Sequence, residues 1–380
     1  MMVYFDHNST TKVDEAVLEQ MMPYFSGVFG NASSRHDLGT DSRIAVDTAR
    51  GQVAKLVGVE ASQVIFTSGG TEANNMFLSG MASYLPPARV FTSQIEHPCV
   101  SEPSQRLQKM GWNLHQFETS TSGVAKVDAL ADEKFKQGDL ITLMLANNET
   151  GVLQPVSELG DAVAERGGWL HTDAVQALGK VRLDFETLGV HSMSLSAHKI
   201  NGPKGVGALI VDKKLPINPF ILGGGHESGL RSGTENVPGI VGFGAAAELV
   251  LSRLDEYEAK VKPLQTQLEG GLTRLGAIIH GGGEKRLSNT TYFSFQGVQG
   301  ETFVIELNKR GFALASGSAC SRHGSSVSPT LTAMGVSEEL ALCAVRISLG
   351  LDNTHHEVEL FLESVESVLA SFSNLSSVTI

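Results

Sequence analysis

Cysteine is scarce in this chain: three residues in 380, at positions 99, 320 and 343. So few and so scattered, they exclude a disulfide framework, and each is weighed as a thiol. Positive charge is short as well, since 29 Lys and Arg against 41 Asp and Glu leave a net charge of −12. That balance argues against a nucleic-acid or anionic-membrane surface and leaves proteins or small molecules as partners. No apolar run is long enough to span a bilayer, and the start, Met1-Met2-Val3-Tyr4-Phe5-Asp6-His7, has no basic segment followed by an apolar one. A cytoplasmic protein without a membrane segment is therefore expected. Internal repeats and low-complexity tracts are absent too.

What is present fits an ordinary globular enzyme. Hydrophobic content of 41% and charged content of 18% are average, and 380 residues allow two or three domains. Apolar strand-like runs around Val64, Arg89, Leu140, Trp169 and Gly207 alternate with helically spaced segments such as 44–57 and 156–166. Such alternation predicts an α/β domain with a mostly parallel sheet covered on both faces, and places ligands at the carboxyl ends of its strands. After about Leu254 the spacing predicts a long helix over 254–275, a strand over 290–295, a helix over 301–310 and a strand over 312–315. A last helix opens at Thr354, with Glu357 three residues on as a capping box. We expect a large domain over 15–253 and a smaller α+β domain made of 1–14 and 254–380.

Several strand ends carry polar residues of chemical interest. In Ser196-Ala197-His198-Lys199 the lysine can lose its proton and condense with an aldehyde coenzyme, although a lysine in a Gly-rich turn has the same local sequence. Thr67-Ser68-Gly69-Gly70-Thr71 leads into a helix whose free N–H groups favour an anion such as a phosphate. Asp173, in His171-Thr172-Asp173-Ala174-Val175-Gln176, can pair with a protonated ring nitrogen, with Gln176 one helical turn further; alone it reads equally as a helix N-cap. His97 after a strand can stack on an aromatic ring and move protons. The run Asn147-Asn148-Glu149-Thr150-Gly151 offers amide side chains or plain turn chemistry. Neither His97-x-Cys99 nor His355-His356 has further partners at ligand spacing, so no metal is expected.

Together these blocks resemble the cysteine desulfurases, within the class V aminotransferases of fold-type I (aspartate aminotransferase-like) pyridoxal-phosphate enzymes. The likeness runs from Phe5-Asp6-His7-Asn8-Ser9-Thr10-Thr11 to Arg346-Ile347-Ser348-Leu349-Gly350. It implies a large domain with a seven-stranded-type sheet, pyridoxal 5'-phosphate as coenzyme, L-cysteine as substrate and a homodimer with shared sites. Lys199 would carry the coenzyme, Asp173 would face its ring nitrogen, Gln176 its hydroxyl, and His97 would lie over the ring. Gly70, Thr71, Ser196 and His198 would hold the phosphate, joined by Thr234 from a second subunit, while Asn148 and Arg346 would bind the substrate carboxylate.

Cys320 sits in a small-residue stretch, Ser316-Gly317-Ser318-Ala319-Cys320-Ser321-Arg322-His323, that reads as a mobile loop carrying a reactive thiol. Catalysis would rest on Lys199, Cys320 and His97, with sulfur held on Cys320 as a persulfide and handed to an acceptor protein, an iron-sulfur scaffold being one candidate. Cys343 reads as a core residue and Cys99 as packing. Three departures from the iron-sulfur branch are visible: a longer stretch between Cys320 and Pro329, an end at Ile380 without the scaffold-docking extension, and His7 and Ser9 where Asn and Ala are commoner. The competing expectation is selenocysteine lyase or another class V reaction.

Overall fold

The structure, a computed structural model, describes residues 2–127, 135–317 and 327–376. Thirteen strands follow one another along the described chain. The first eight are β1 (Val3–Tyr4), β2 (Val64–Thr67), β3 (Arg89–Ser93), β4 (Asn113–Phe117), β5 (Leu140–Thr142), β6 (Trp169–Asp173), β7 (Ser192–Ser196) and β8 (Gly207–Val211). Then come β9 (Ile278–Ile279), β10 (Thr290–Ser294), β11 (Phe312–Ala313), β12 (Ala315–Ser316) and β13 (Ala344–Ser348).

Seven strands form the main sheet in the order β2-β8-β7-β6-β5-β3-β4, with β8 antiparallel to both neighbours and every other pair parallel. Both faces are covered, which is why β2, β7 and β8 are buried at every position. One face packs on helices Asp37–Val57, Val156–Arg166 and Val237–Arg274, the other on Gly70–Tyr84 and Pro98–Lys109. The fold expected from the sequence is therefore the fold observed. A four-stranded antiparallel sheet, β12-β13-β10-β9, has its own core with helix His355–Ser376, and β1 pairs with β11 beside it.

Helix Asp37–Val57 starts ahead of the expected 44, and other boundaries differ for physical reasons. The long helix begins at Val237 rather than 254, because its first turns carry Gly239, Gly242 and Gly244 in place of a polar face. A Cβ on Gly244 would lie 2.6 Å from the Ala49 backbone, so glycine lets two helices touch. This helix is also long and apolar enough to cross a membrane, which the sequence reading had not anticipated; 61% of its apolar window is buried inside the protein, as in a core helix. β5 stops at Thr142 because the Met144 amide turns away to the Glu96 carboxyl at 2.8 Å. The 312–315 strand is split between two partners, β1 for Phe312–Ala313 and β13 for Ala315–Ser316. The capping box at Thr354 and Glu357 is formed by reciprocal bonds of 2.9 and 3.2 Å.

One packing detail positions the site. Phe5 is fully buried between Phe312 and Phe361, at centroid distances of 6.1 and 5.5 Å. Burying such a ring is worth about 2 kcal/mol, enough to anchor the turn that follows it. That turn, residues 6–9, is bonded to the end of β13: His7 N donates to Ser348 O at 3.2 Å and Asn8 N to Ser348 Oγ at 2.8 Å.

Candidate active site

The loops leaving β2, β3, β5, β6 and β7 at the carboxyl end of the main sheet line one cavity of about 330 Å³. The 6–9 turn and Arg346 on β13 close it from the small sheet. Because the chain order runs away from β3 in both directions, to β4 on one side and β5 on the other, this is the crevice where an open α/β sheet accepts ligands.

Each wall is built by its strand. After β2, Gly70 opens helix Gly70–Tyr84 with no side-chain cap, so the N–H groups of the first turn face outward. A Cβ at position 70 would come 2.6 Å from Val175 Cγ2, and only glycine fits there. After β7, Lys199 lies in a short 3₁₀ turn; its Nζ donates to the carbonyls of Asn8 and Ser9, the second at 2.8 Å. Ser196 is buried at the strand end, and His198 Nδ1 lies 3.2 Å from Thr10 Oγ1. Burial, then the nearby Lys199 and Lys204 charges, push His198 down to about 4, so its ring is neutral at pH 7.

At the end of β6 the Asp173 carboxylate accepts from Val175 N at 3.0 Å and from Asn74 Nδ2 at 2.8 Å. Behind it runs a buried chain: Asn74 Oδ1 is 2.8 Å from His171 Nε2, and His171 Nδ1 is 2.6 Å from Ser192 Oγ. Burial pushes His171 down to about 3 and Phe77 stacks on it at 4.6 Å, so this ring is a neutral spacer that fixes Asn74. Gln176 donates to Asn8 O at 3.0 Å and accepts from Lys180 Nζ at 3.0 Å. Burial holds Lys180 well below the usual lysine range, helped by the Lys199 and Arg346 charges.

His97 N-caps helix Pro98–Lys109, its Nδ1 accepting from Cys99 N at 3.2 Å. A ring nitrogen that accepts carries no proton, so the proton sits on Nε2. Burial lowers the His97 pKa, against the pull of Asp173. Cys99 packs in a hydrophobic cluster, as expected, and also lines the cavity, with Sγ 2.9 Å from His97 Nδ1 and 3.0 Å from Asn74 Nδ2. Arg346 is 6% exposed; Nη1 donates to Asn148 O at 2.9 Å, and Nη2 to Asp6 Oδ1 at 2.8 Å and Ser9 Oγ at 2.7 Å.

Below this wall Glu96 is buried, accepting from Ser93 Oγ and Met144 N at 2.8 Å each, and burial raises its pKa to about 7. A carboxyl that binds its proton more tightly when folded contributes stability that is present at low pH and lost as pH rises through the folded value. From an ordinary value of 4.5 to about 7, the loss is on the order of 3 kcal/mol. Thermal melts from pH 5 to 8 should therefore show Tm falling toward pH 8, and Glu96→Gln should flatten that slope; an unchanged slope would place the titration elsewhere.

Of the residues named from sequence, Gly70, Thr71, His97, Asn148, Asp173, Gln176, Ser196, His198, Lys199 and Arg346 share this cavity. Thr234 lies instead against a smaller hollow beside Thr67, Ser68 and Arg231. Cys320 falls outside the described residues. On one side of it Ala315 is the register partner of Arg346; on the other, the Ser328 and Thr330 hydroxyls hold the half-buried Glu149 carboxyl. Cys343 is buried, as expected. Among the described residues no three His, Cys, Asp or Glu side chains gather as metal ligands. Asn8, Asn74, Lys180 and Asp6 were not foreseen, because each acts through contacts far away in the chain.

Comparison with known proteins gives a consistent picture. Residues 3–361 match the family Aminotransferase class-V. The chain is 41% identical to a cysteine desulfurase of Sinorhizobium fredii, over 97% of this chain and 96% of that protein. A solved structure described as a NifS-like protein superposes with a TM-score of 0.92 at 38% identity, covering 97% of this chain and 100% of that one. Another, SspA in complex with cysteine, has a TM-score of 0.82 at 32% identity, covering 91% and 98%.

Proposed function

We propose, from the premise that the chain belongs to the class V aminotransferases and to the cysteine desulfurases among them, that it converts L-cysteine to L-alanine and passes the sulfur through Cys320 to an acceptor. The observation that carries this reading is the meeting of an amine, a carboxylate and a guanidinium, from Lys199, Asp173 and Arg346, around one cavity with a helix start at its edge.

The family uses pyridoxal 5'-phosphate, and the residues present fit it. Gly70 leaves open a cradle that a Cβ would fill, the first turn of helix Gly70–Tyr84 and the Ser196 and Thr71 hydroxyls suit a phosphate, and Asp173 suits a protonated ring nitrogen. When bound, the coenzyme supplies an aldehyde that condenses with amines and a cationic ring that accepts electrons.

The chain's own residues do the rest. Lys199 holds the coenzyme and then moves the proton at the substrate Cα. Asp173, steadied by Asn74, would pair with the ring nitrogen. Gln176 would meet the ring hydroxyl, and His97 would lie over the ring. Arg346 and Asn148 grip the substrate carboxylate. Cys320 attacks the substrate sulfur: an S–S bond forms, the substrate C–S bond breaks, and a proton goes to the substrate carbon, so that L-cysteine and a thiol become L-alanine and a persulfide. Thr234 completes the phosphate site of a second copy, which makes the working unit a homodimer. The acceptor is a protein thiol or scaffold.

The test is stoichiometric. Coenzyme-loaded protein given L-cysteine and a thiol reductant should yield alanine and sulfide in equal amounts. Formation of a keto acid with the sulfur retained would mean transamination, and turnover of selenocysteine alone would mean a lyase specific for selenium.

A further inference from the structure

The carboxylate subsite assigned above has a support that nothing in the family likeness assigns. Arg346 is nearly buried, yet its Nε has no hydrogen-bond partner among the described residues. Buried donors are nearly always satisfied, so this open valence stands out, and Arg346 itself lines the cavity beside Asn148. Three of the other four N–H donors are fixed by neighbours. Nη1 is held by the Asn148 carbonyl, and Nη2 by Asp6 Oδ1 and Ser9 Oγ, while Ser9 Oγ itself donates to Asp6 Oδ1 at 2.8 Å.

Those two supports sit on a turn that cannot drift from Arg346. Ser9 N donates to Asp6 O at 3.0 Å to close the turn, and the Tyr4 hydroxyl bonds Asp6 O at 3.0 Å and Thr10 O at 2.9 Å. Asp6 also bridges Ser348, two residues along the strand that carries Arg346. A guanidinium on a flexible stem gains directional selectivity only when its plane is fixed, and here an ion pair and a hydroxyl fix it from one side.

We propose that Asp6 and Ser9 are positioning residues that aim Arg346 at the α-carboxylate of the amino-acid substrate, setting the preference for an amino acid over the corresponding amine. This rests on the assignment of Arg346 as the carboxylate site. It adds that the preference is made by the turn and not by Arg346 alone.

The test compares L-alanine with ethylamine, the same amine without the carboxylate, as ligands of the coenzyme-loaded protein, read by the change in its visible spectrum. In Asp6→Asn the ratio of the two dissociation constants should fall by about tenfold, with KM for L-cysteine rising by a similar factor and kcat changing by less than about threefold. Ser9→Ala, a mild change on the turn surface, should give about a threefold fall in the ratio. Wild-type ratios in both variants, or equal weakening of alanine and ethylamine, would overturn the proposal. Arg346→Ala separates the two levels: loss of the ratio there with Asp6→Asn unaffected rejects the positioning role alone, and a retained ratio rejects the carboxylate site itself.

Discussion

Lys199→Ala is expected to lower alanine and sulfide formation at least about a thousandfold while leaving the fold intact. The side chain donates to the carbonyls of Asn8 and Ser9 and belongs to no hydrophobic cluster, so its removal opens no gap in the core. Its chemical loss is large because no other amine can take its place. A nearby lysine, Lys180, is buried, does not line this cavity and donates to Gln176 O, Gln176 Oε1 and Asn8 Oδ1. Those bonds would have to break before its amine could serve. Borohydride trapping of the coenzyme on the wild-type chain, followed by peptide mapping, should label Lys199 and leave Lys180 unmodified. Label on Lys180, or turnover of Lys199→Ala within tenfold of wild type, would remove Lys199 from the centre of the chemistry.

The parts of this site that are legible in sequence are those that local rules create. Gly69-Gly70 after an apolar run, Asp173 and Lys199 at strand ends, and the Thr354 capping box are each decided by neighbours within a few residues. The strand interiors were equally legible, since β2, β5 and β8 are apolar-rich runs buried on both faces. What escaped is long-range. Asn8 binds Gln176, Lys180, Thr290, Asn289 and Ser348, partners up to 340 positions away, and no local pattern distinguishes it from a turn asparagine. Asn74 reads as one more polar residue on a helix until the sheet brings Asp173 and His171 against it. The early start of helix Val237–Arg274 was hidden for a different reason: glycines lower helix propensity, and only the facing helix explains why they are there. The family likeness supplied roles for single residues, and the geometry supplies what holds those residues in place.

Cys320→Ala should reduce sulfide release at least about a hundredfold, with coenzyme content and L-alanine binding unchanged. The argument runs through the other two thiols, which are described and can be judged. Cys343 is buried behind β13, its Sγ donating to Glu339 O at 3.3 Å, with no opening to the cavity. Cys99 does line the cavity and is the natural substitute, but burial pushes its thiol up and the Asp173 charge pushes it further, so the nucleophilic thiolate is not formed near neutral pH. Its sulfur is also committed to His97 Nδ1 and Asn74 Nδ2. This supports the proposed role of Cys320, and Cys99→Ser should keep most of the sulfide release that Cys320→Ala loses. Mass analysis of the chain after brief exposure to L-cysteine gives the direct reading: one added sulfur on the peptide containing Cys320, absent from Cys320→Ala and retained in Cys99→Ser. Sulfur found on Cys99 instead, or undiminished sulfide from Cys320→Ala, would transfer the acceptor role to the buried thiol.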